Sequence, residues 1–465
     1  MKRLVSIALC LQIGFFALLA GAASYSPVYV DPATGDDGND GSEEHPFKTL
    51  DKGLEVVGSS KHQALYLAPG TYKLNADASF GDSGNQGEQN NARLIGKTGN
   101  PDDVVIDGQG LYRWHQSGQN RGICSVTFSN LYSNTAQALR LDYYSGVVNY
   151  DDTTVRVFSN CVVKCCTAAG SELIQILGRT AMRDCKILNC TVTGSGKSIV
   201  YAKGGAQIDN CIFADNTAGG SIVELGYSST ARDKVCKSHI KGSRFLRNQA
   251  SQIAYYIPII DSCFFLTNTT SGSVCNYPQN YNFGAPLRIL NTVFDKNETT
   301  SGVGCSGIDF HNSTLTNSLI ENCVFANGSA PNGSASGSNN GHGGALRLYP
   351  TSLQGTGLTV RKCCFRGIET HLIPPPRRRA KGLRLLSSLI QLKFPVWGTL
   401  YLKIVRLSTI SCGTTRAMAR KSLPPFMLAW RATLASPLRT AYSAMLEKME
   451  HMGTASSSRT ARHTL

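Results

Sequence analysis

One spaced motif recurs along most of this 465-residue chain and limits its fold more than any other feature. In Ile320-Glu321-Asn322-Cys323-Val324-Phe325 an apolar residue is followed three places on by a small residue, and two places later by a second apolar one. Ile208…Cys211…Phe213 is the fullest copy, with Asn216 three places after the Phe. Ile240…Ser243…Phe245…Asn248, Ile260…Cys263…Phe265…Asn268 and Ile289…Thr292…Phe294…Asn297 keep the spacing. Looser copies are Ile123…Val126…Phe128, Phe158…Cys161…Val163, Met182…Cys185…Ile187 and Val360…Cys363…Phe365.

The spacing has a physical meaning. Residues two apart on a strand face the same side, so Cys323 and Phe325 point inward together. Ile320 lies three before Cys323 and breaks the alternation, and a bend between them turns it inward as well. Asn160, Asp184, Asn210, Gly242, Asn291 and Asn322 hold the place at that bend. Asn, Asp and Gly tolerate left-handed backbone best. Each copy therefore reads as two short strands joined at a corner. Successive copies lie 20 to 40 residues apart. A unit of that length cannot bury its own apolar side, so about nine rungs must stack into a coil.

Six of the 16 cysteines, at 161, 185, 211, 263, 323 and 363, take the small inward position. Rungs about 4.8 Å apart would pile them into a column. Disulfides are one reading, since an exported protein meets an oxidising compartment. A ladder of small buried thiols acting as hydrophobes is the other. Cys165-Cys166 and Cys363-Cys364 read as adjacent pairs on strands, without the spacing of a zinc site. Val163, Ile187, Phe213, Phe245, Phe265, Phe294, Phe325 and Phe365 supply the bulk of the core. Each such side chain contributes roughly 1.5–3 kcal/mol when buried.

With these repeats the chain resembles the right-handed parallel β-helix shared by pectin and pectate lyases and many bacterial surface proteins. The four Phe-x-x-Asn units, with Gly204-Gly205-Ala206 and Gly343-Gly344-Ala345, also resemble the repeats of chlamydial-type polymorphic outer-membrane proteins. The resemblance covers residues 28–367. It implies an all-β fold, a right-handed parallel β-helix with a small N-terminal cap containing one short helix. It guides chemistry only weakly, because one coil serves many functions.

Residues 1–23 read as a secretory signal: Lys2 and Arg3, an apolar run from Leu4 to Leu19, then Ala20-Gly21-Ala22-Ala23 for cleavage. The mature chain is then secreted or held at the cell surface, with no transmembrane segment. Residues 24–103 read as the cap, with a strand at Val28-Tyr29-Val30 and a helix opening near Pro46. Asp36, Asp37, Asn39 and Asp40 offer oxygen ligands for Ca2+, but a solvated turn explains them too, and their spacing is not that of an EF-hand. No other cofactor is indicated. The coil proper runs over 104–367, with a Ser-, Gly- and Asn-rich loop from Gly328 to Gly341.

Beyond Gly367 the repeat grammar stops. Residues 368–465 carry 16 Lys and Arg against 3 Asp and Glu, so most of the net charge of +15 sits there. This basic tail reads as disordered or as an out-of-frame translation. The rest holds 30 basic and 28 acidic residues, which gives no case for nucleic acid as a partner.

Chemistry on a coil must use outward positions on neighbouring rungs. Beside the key residue these are mostly apolar: Val162, Ile212, Phe264, Val293 and Val324, with Leu188, Leu246 and Leu266. Lys164 and Lys186 are the best basic pair, as diagonal neighbours, and Asp295 is the acidic residue of that face. Arg288 and Arg347 share Leu-Arg-Ile and Leu-Arg-Leu contexts and suit a carboxylate. Gly341-His342-Gly343 matches a triplet of polygalacturonases, with Asp151-Asp152 as a distant companion, and reads better as a loop. Two functions follow. One is a protein that binds or processes a carbohydrate polymer, as a polysaccharide lyase or glycoside hydrolase if it is an enzyme. The other is an adhesin or autotransporter-type passenger for a host or cell-surface ligand. An exposed apolar stripe would favour the second.

Overall fold

The corner motif repeats in space as it does in sequence. The computed structural model describes residues 26–370 except 60–63, 81–92, 117–121, 142–155, 178–179, 204–205, 227–237, 278–285, 301–303, 312–316, 331–343 and 350–357. The signal-like segment, Asp151-Asp152, Gly204-Gly205, Gly341-His342-Gly343 and the tail from 371 lie outside the described residues.

One rung runs Thr180–Arg183, Lys186–Leu188, Thr191–Val192, Val200–Lys203, and the next begins at Ala206–Asp209. Each strand pairs in parallel with its counterpart one rung on, and four sheets result. The isoleucine sheet has twelve strands, from Val28–Val30 to Leu358–Arg361. The phenylalanine sheet has eleven, from Gly70–Lys73 to Cys364–Arg366. A sheet of two-residue strands has nine, from Tyr132–Ser133 to Glu369–Thr370. The tyrosine sheet has ten, from Ala78–Phe80 to Leu346–Tyr349. The chain is a parallel β-helix. Nine strands of the isoleucine sheet, from Ile123–Cys124 onward, match the nine copies of the motif. Three more, at Val28–Val30, Ala64–Leu67 and Arg93–Gly96, precede them, so the coil already winds inside the segment read as cap.

The helix Leu50–Ser59 closes the first rung. Thr49 Oγ1 accepts the Lys52 N–H at 3.2 Å and starts it. Leu50 and Val57 are buried on its inner side. Gly53 lies against the sheet, where an added Cβ would stand 2.5 Å from Val30 Cγ2. Only glycine permits so close an approach.

All six expected corner residues are left-handed, with φ from 49° to 59°. Ser125, Ser262 and Lys362 fill the same place in the other three rungs. A second left-handed corner follows the phenylalanine sheet at Asn130, Cys165, Asn189, Asp215, Arg247, Thr267, Lys296, Asn327 and Gly367. The motif does not announce it, because Arg, Thr and Lys are poor residues for that conformation. This corner also corrects the reading of Cys165-Cys166: Cys165 is an exposed turn residue and Cys166 is buried. Likewise Cys363 lies in a corner and only Cys364 is on a strand.

Inside the coil, like residues stack on like. The rings of Phe213, Phe245, Phe265, Phe294, Phe325 and Phe365 are spaced 4.7–4.9 Å and tilted by no more than 5°. Stacked pairs add about 0.5–1.5 kcal/mol beyond the area they bury. The key cysteines form a ladder of thiols, and none of the thirteen cysteines among the described residues is in a disulfide. Cys211 Sγ lies 3.3 Å from the Asp209 carbonyl and 3.5 Å from that of Met182 on the rung before, and Cys185 and Cys263 repeat the pattern. Burial pushes the Cys263 thiol up to about 12, so it packs as an uncharged group. Where Ser243 and Thr292 replace cysteine, their hydroxyls accept the N–H of Cys211 and Cys263.

The Asn of Phe-x-x-Asn turns inward too. Asn216, Asn248, Asn268 and Asn297 are almost fully buried. Asn248 Oδ1 accepts the Asn216 N–H at 3.1 Å and its Nδ2 at 3.0 Å. Asn248 Nδ2 donates to the Phe213 carbonyl at 2.9 Å and to Asn268 Oδ1 at 3.0 Å. Asn268 repeats the set with Phe245 and Asn297. A buried amide is tolerable only when all its hydrogen-bonding groups are used, and stacking at rung spacing uses them.

Candidate functional site

On the tyrosine sheet, strand alternation buries one row and leaves the next on the other face. Ile174 and Ile176 flank Gln175, Val200 and Ala202 flank Tyr201, and Val223 and Leu225 flank Glu224, all six flanking residues buried. The alternate positions fall in register as Arg140, Gln175, Tyr201, Glu224, Tyr255, Asn276 and Asp309, with Arg347 next. Unlike the interior, this row never repeats a residue on adjacent rungs. Beside it the Tyr255 and Tyr256 hydroxyls lie 3.2 Å apart. Tyr256 holds a left-handed φ of 65°, a strain that the surrounding fold must support.

Two carboxylates occupy this face. Glu172 precedes the strand Ile174–Leu177, and its Oε1 meets Lys197 Nζ at 3.1 Å. Its Oε2 accepts the Ser171 hydroxyl at 2.8 Å, and Ser171 in turn accepts Gln137 Nε2 at 3.0 Å. Glu224 is half-buried, and its Oε2 accepts the fully buried Ser198 hydroxyl at 2.6 Å. Burial, then the charge of Glu172, raises the Glu224 carboxyl above its ordinary value, against the pull of Ser198 and Lys197. Glu172 goes the other way. Burial opposes its ionisation, but its own backbone N–H, Ser171 and Lys197 outweigh it and hold the carboxyl low. Burial and the two carboxylates raise the Tyr201 phenol. The two carboxyls are thus pushed in opposite directions, the kind of separation that can divide an acid from a base.

The residues singled out in the sequence lie on three separate faces. Lys164 is half-buried and Lys186 exposed, diagonal on the phenylalanine sheet as expected. Arg288 is half-buried on the isoleucine sheet, opposite Ile259 and Leu319. Arg347 joins the tyrosine-sheet row by its register with Asp309. The structure therefore does not bring the four together. Glu172, Lys197, Ser198, Tyr201 and Glu224 were not read from the sequence. The period-two flank of Val200-Tyr201-Ala202 and Val223-Glu224-Leu225 was the available signal.

Two other groups are engaged structurally. Asp37 Oδ1 accepts the N–H of Lys48 and Thr49, and Oδ2 accepts the Thr49 hydroxyl, at 2.8–2.9 Å. Asp36 and Asp40 accept the N–H of Gly38 and Ser42, and Asn39 Nδ2 donates to the Pro46 carbonyl. Among the described residues no three His, Cys, Asp or Glu side chains gather as a metal cluster. On the isoleucine sheet Asp209 meets His239 Nε2 at 3.0 Å and Arg183 Nε at 3.7 Å, and Lys241 stands in register between Asp209 and Asp261. These charges alternate and offset one another.

The apolar stripe of the phenylalanine sheet is not an open patch. Val162 and Val293 are buried, and Ile212, Leu246, Phe264, Leu266 and Val324 are half-buried. Side chains one rung apart shield each other, and the Arg244 guanidinium lies 6.0 Å from the Phe264 ring centre. The large hydrophobic residue exposed among the described residues is Leu111. No helix among them is long and apolar enough to cross a membrane.

A family model described as "Protein of unknown function (DUF1565)" matches residues 33–82. No curated protein sequence matches the chain. Among solved structures, a PL6 family polysaccharide lyase from Pseudopedobacter saltans is similar at 12% identity and a TM-score of 0.33, over 73% of this chain and 96% of that one. The pectin methylesterase PemA from Erwinia chrysanthemi is similar at 11% identity and 0.26, over 70% and 94%. A rhamnogalacturonan lyase is similar at 14% identity and 0.25, over 68% and 84%. Likeness at this level says nothing of chemistry, which rests on the side chains above.

Proposed function

We propose that this is an exported polysaccharide-processing β-helix protein that cleaves glycosidic bonds on its tyrosine sheet. The observation that carries the reading is the pair Glu172 and Glu224, near enough for the charge of one to act on the other, with one carboxyl lowered and the other raised by its surroundings. In the cleavage step Glu224 gives its proton to the leaving glycosidic oxygen as the C–O bond breaks. Glu172 takes a proton from the water whose hydroxide completes the other product, and solvent exchange resets both groups. The row from Arg140 to Asn276 extends over six rungs at about 4.8 Å each and mixes amide, phenol and charged groups. Such a strip suits a chain of sugars better than a single small molecule. A purely adhesive role would leave the raised Glu224 without a use.

The test is incubation of the full chain with a panel of neutral and uronic-acid polysaccharides. New reducing ends are followed together with ultraviolet absorbance of unsaturated products. Reducing ends without unsaturation support hydrolysis by the two carboxylates. Unsaturated products would replace it with elimination. Binding without any cleavage would favour the adhesin.

A further inference from the structure

Ser198 stands in the second line of this site and no sequence motif points to it. Its backbone is fixed by the Leu173 N–H, which donates to the Ser198 carbonyl at 3.0 Å. Its Oγ accepts the Ser221 N–H of the next rung at 3.1 Å, so one lone pair is committed. The single hydroxyl proton then points to Glu224 Oε2 at 2.6 Å. Ser198 is fully buried, so no solvent competes for that bond.

We propose that Ser198 is a positioning residue that holds Glu224 Oε2 as an acceptor and leaves the transferable proton on Oε1. This inference rests on the reading of Glu224 as the acid. A hydroxyl has one proton to give, and Ser198 gives it to Oε2 along the short contact. If Glu224 carried its proton on Oε2, two donors would face each other across that 2.6 Å contact. The free tautomer is therefore Oε1–H, whose oxygen is not engaged by Ser198. When that proton leaves for the glycosidic oxygen, the new negative charge is shared with Oε2, where the Ser198 O–H already stands. A donor placed in advance lowers the barrier to the charge that develops. The same hydroxyl keeps the acid from becoming too weak, because a hydrogen bond to the ionised form opposes burial.

The experiment compares the full chain with Ser198→Ala and Ser198→Thr. A purely structural serine would change stability but not the titration of Glu224. The first readout is the carboxyl infrared band of Glu224 against pH, identified by its loss in Glu224→Gln and measured without substrate. The second is the pH profile of glycan cleavage. Ser198→Ala should move the Glu224 titration upward by about one unit, as expected for loss of a hydrogen bond to a charged group. It should lower kcat at least about tenfold with KM little changed. Ser198→Thr keeps the hydroxyl and should restore both. A Glu224 titration that stays in place or moves down in Ser198→Ala overturns the proposal, as does failure of Ser198→Thr to restore it. If the wild-type chain cleaves no glycan, the proposed function fails, and the infrared titration alone still decides the role of Ser198.

Discussion

The interior between Cys211 and Asn297 and the outward row of the tyrosine sheet use the same rung spacing to opposite ends. Inside, like meets like: phenylalanine rings stack at 4.7–4.9 Å and each asparagine amide serves the next. Outside, Gln175, Tyr201, Glu224 and Tyr255 follow one another with no residue repeated on adjacent rungs. Repetition is the cheapest way to satisfy a stacked interior, since one solution serves every rung. Departure from it places unlike groups side by side, and there burial and neighbouring charge push the Glu224 carboxyl up while hydrogen bonds and Lys197 hold that of Glu172 down. Structural demand and the proposed chemistry are thus divided between the interior of the coil and the outer face of the tyrosine sheet.

The comparison can be broken from either side. Glu224→Gln should cost about 10²- to 10⁴-fold in glycan cleavage, the range of a lost general acid. It should leave folding intact, as seen by circular dichroism. Because the Glu224 carboxyl is raised in the fold, the stability it contributes is present at low pH and lost as pH rises through its folded value. The glutamine variant should therefore lose less stability than wild type toward alkaline pH in denaturant titrations. Phe265→Ala should remove two ring contacts and open a cavity in the stack, lowering unfolding stability by about 3–5 kcal/mol with the chemistry at Glu224 unaltered per folded molecule. Asn248→Leu keeps the branching of the side chain but strands the Asn216 N–H, the Asn216 amide and the Phe213 carbonyl. Each buried group left without a partner costs about 1–3 kcal/mol, read as a fall in the denaturation midpoint. The smallest effect is a gain. Thr267 holds a left-handed φ of 56° at an exposed corner, and Thr267→Asn should raise stability by about 1 kcal/mol in the same titration.

What could be read in advance follows the same division. The first corner was legible because Asn, Asp and Gly are the residues that accept left-handed backbone, and they recur beside a small inward residue. The second was not, because Cys165, Arg247, Thr267 and Lys296 carry no such preference and are held there by the strands on either side. The phenylalanine stack was legible from spacing alone. The inward course of Asn216, Asn248, Asn268 and Asn297 was not, since a polar residue signals exposure until its partners one rung away are known. Glu172 and Glu224 lie between copies of the motif, where step lengths vary. The step from Cys211 to Ser243 is longer than those on either side of it, and it holds the strand Ser221–Gly226 that carries Glu224. Lys164, Lys186, Arg288 and Arg347 shared outwardness in the sequence reading but not a sheet, and the sequence does not fix which sheet a residue outside the motif will join.

The most direct measurement is a site-resolved titration of the two carboxyl groups in the folded chain by carbon-13 NMR of labelled glutamate, assigned with Glu172→Gln and Glu224→Gln. The structure predicts that Glu224 titrates above the usual glutamate range and Glu172 below it, each moving toward the ordinary value when the chain is unfolded. Two overlapping titrations at the ordinary glutamate value would remove the acid and base from this face, and the catalytic reading with them.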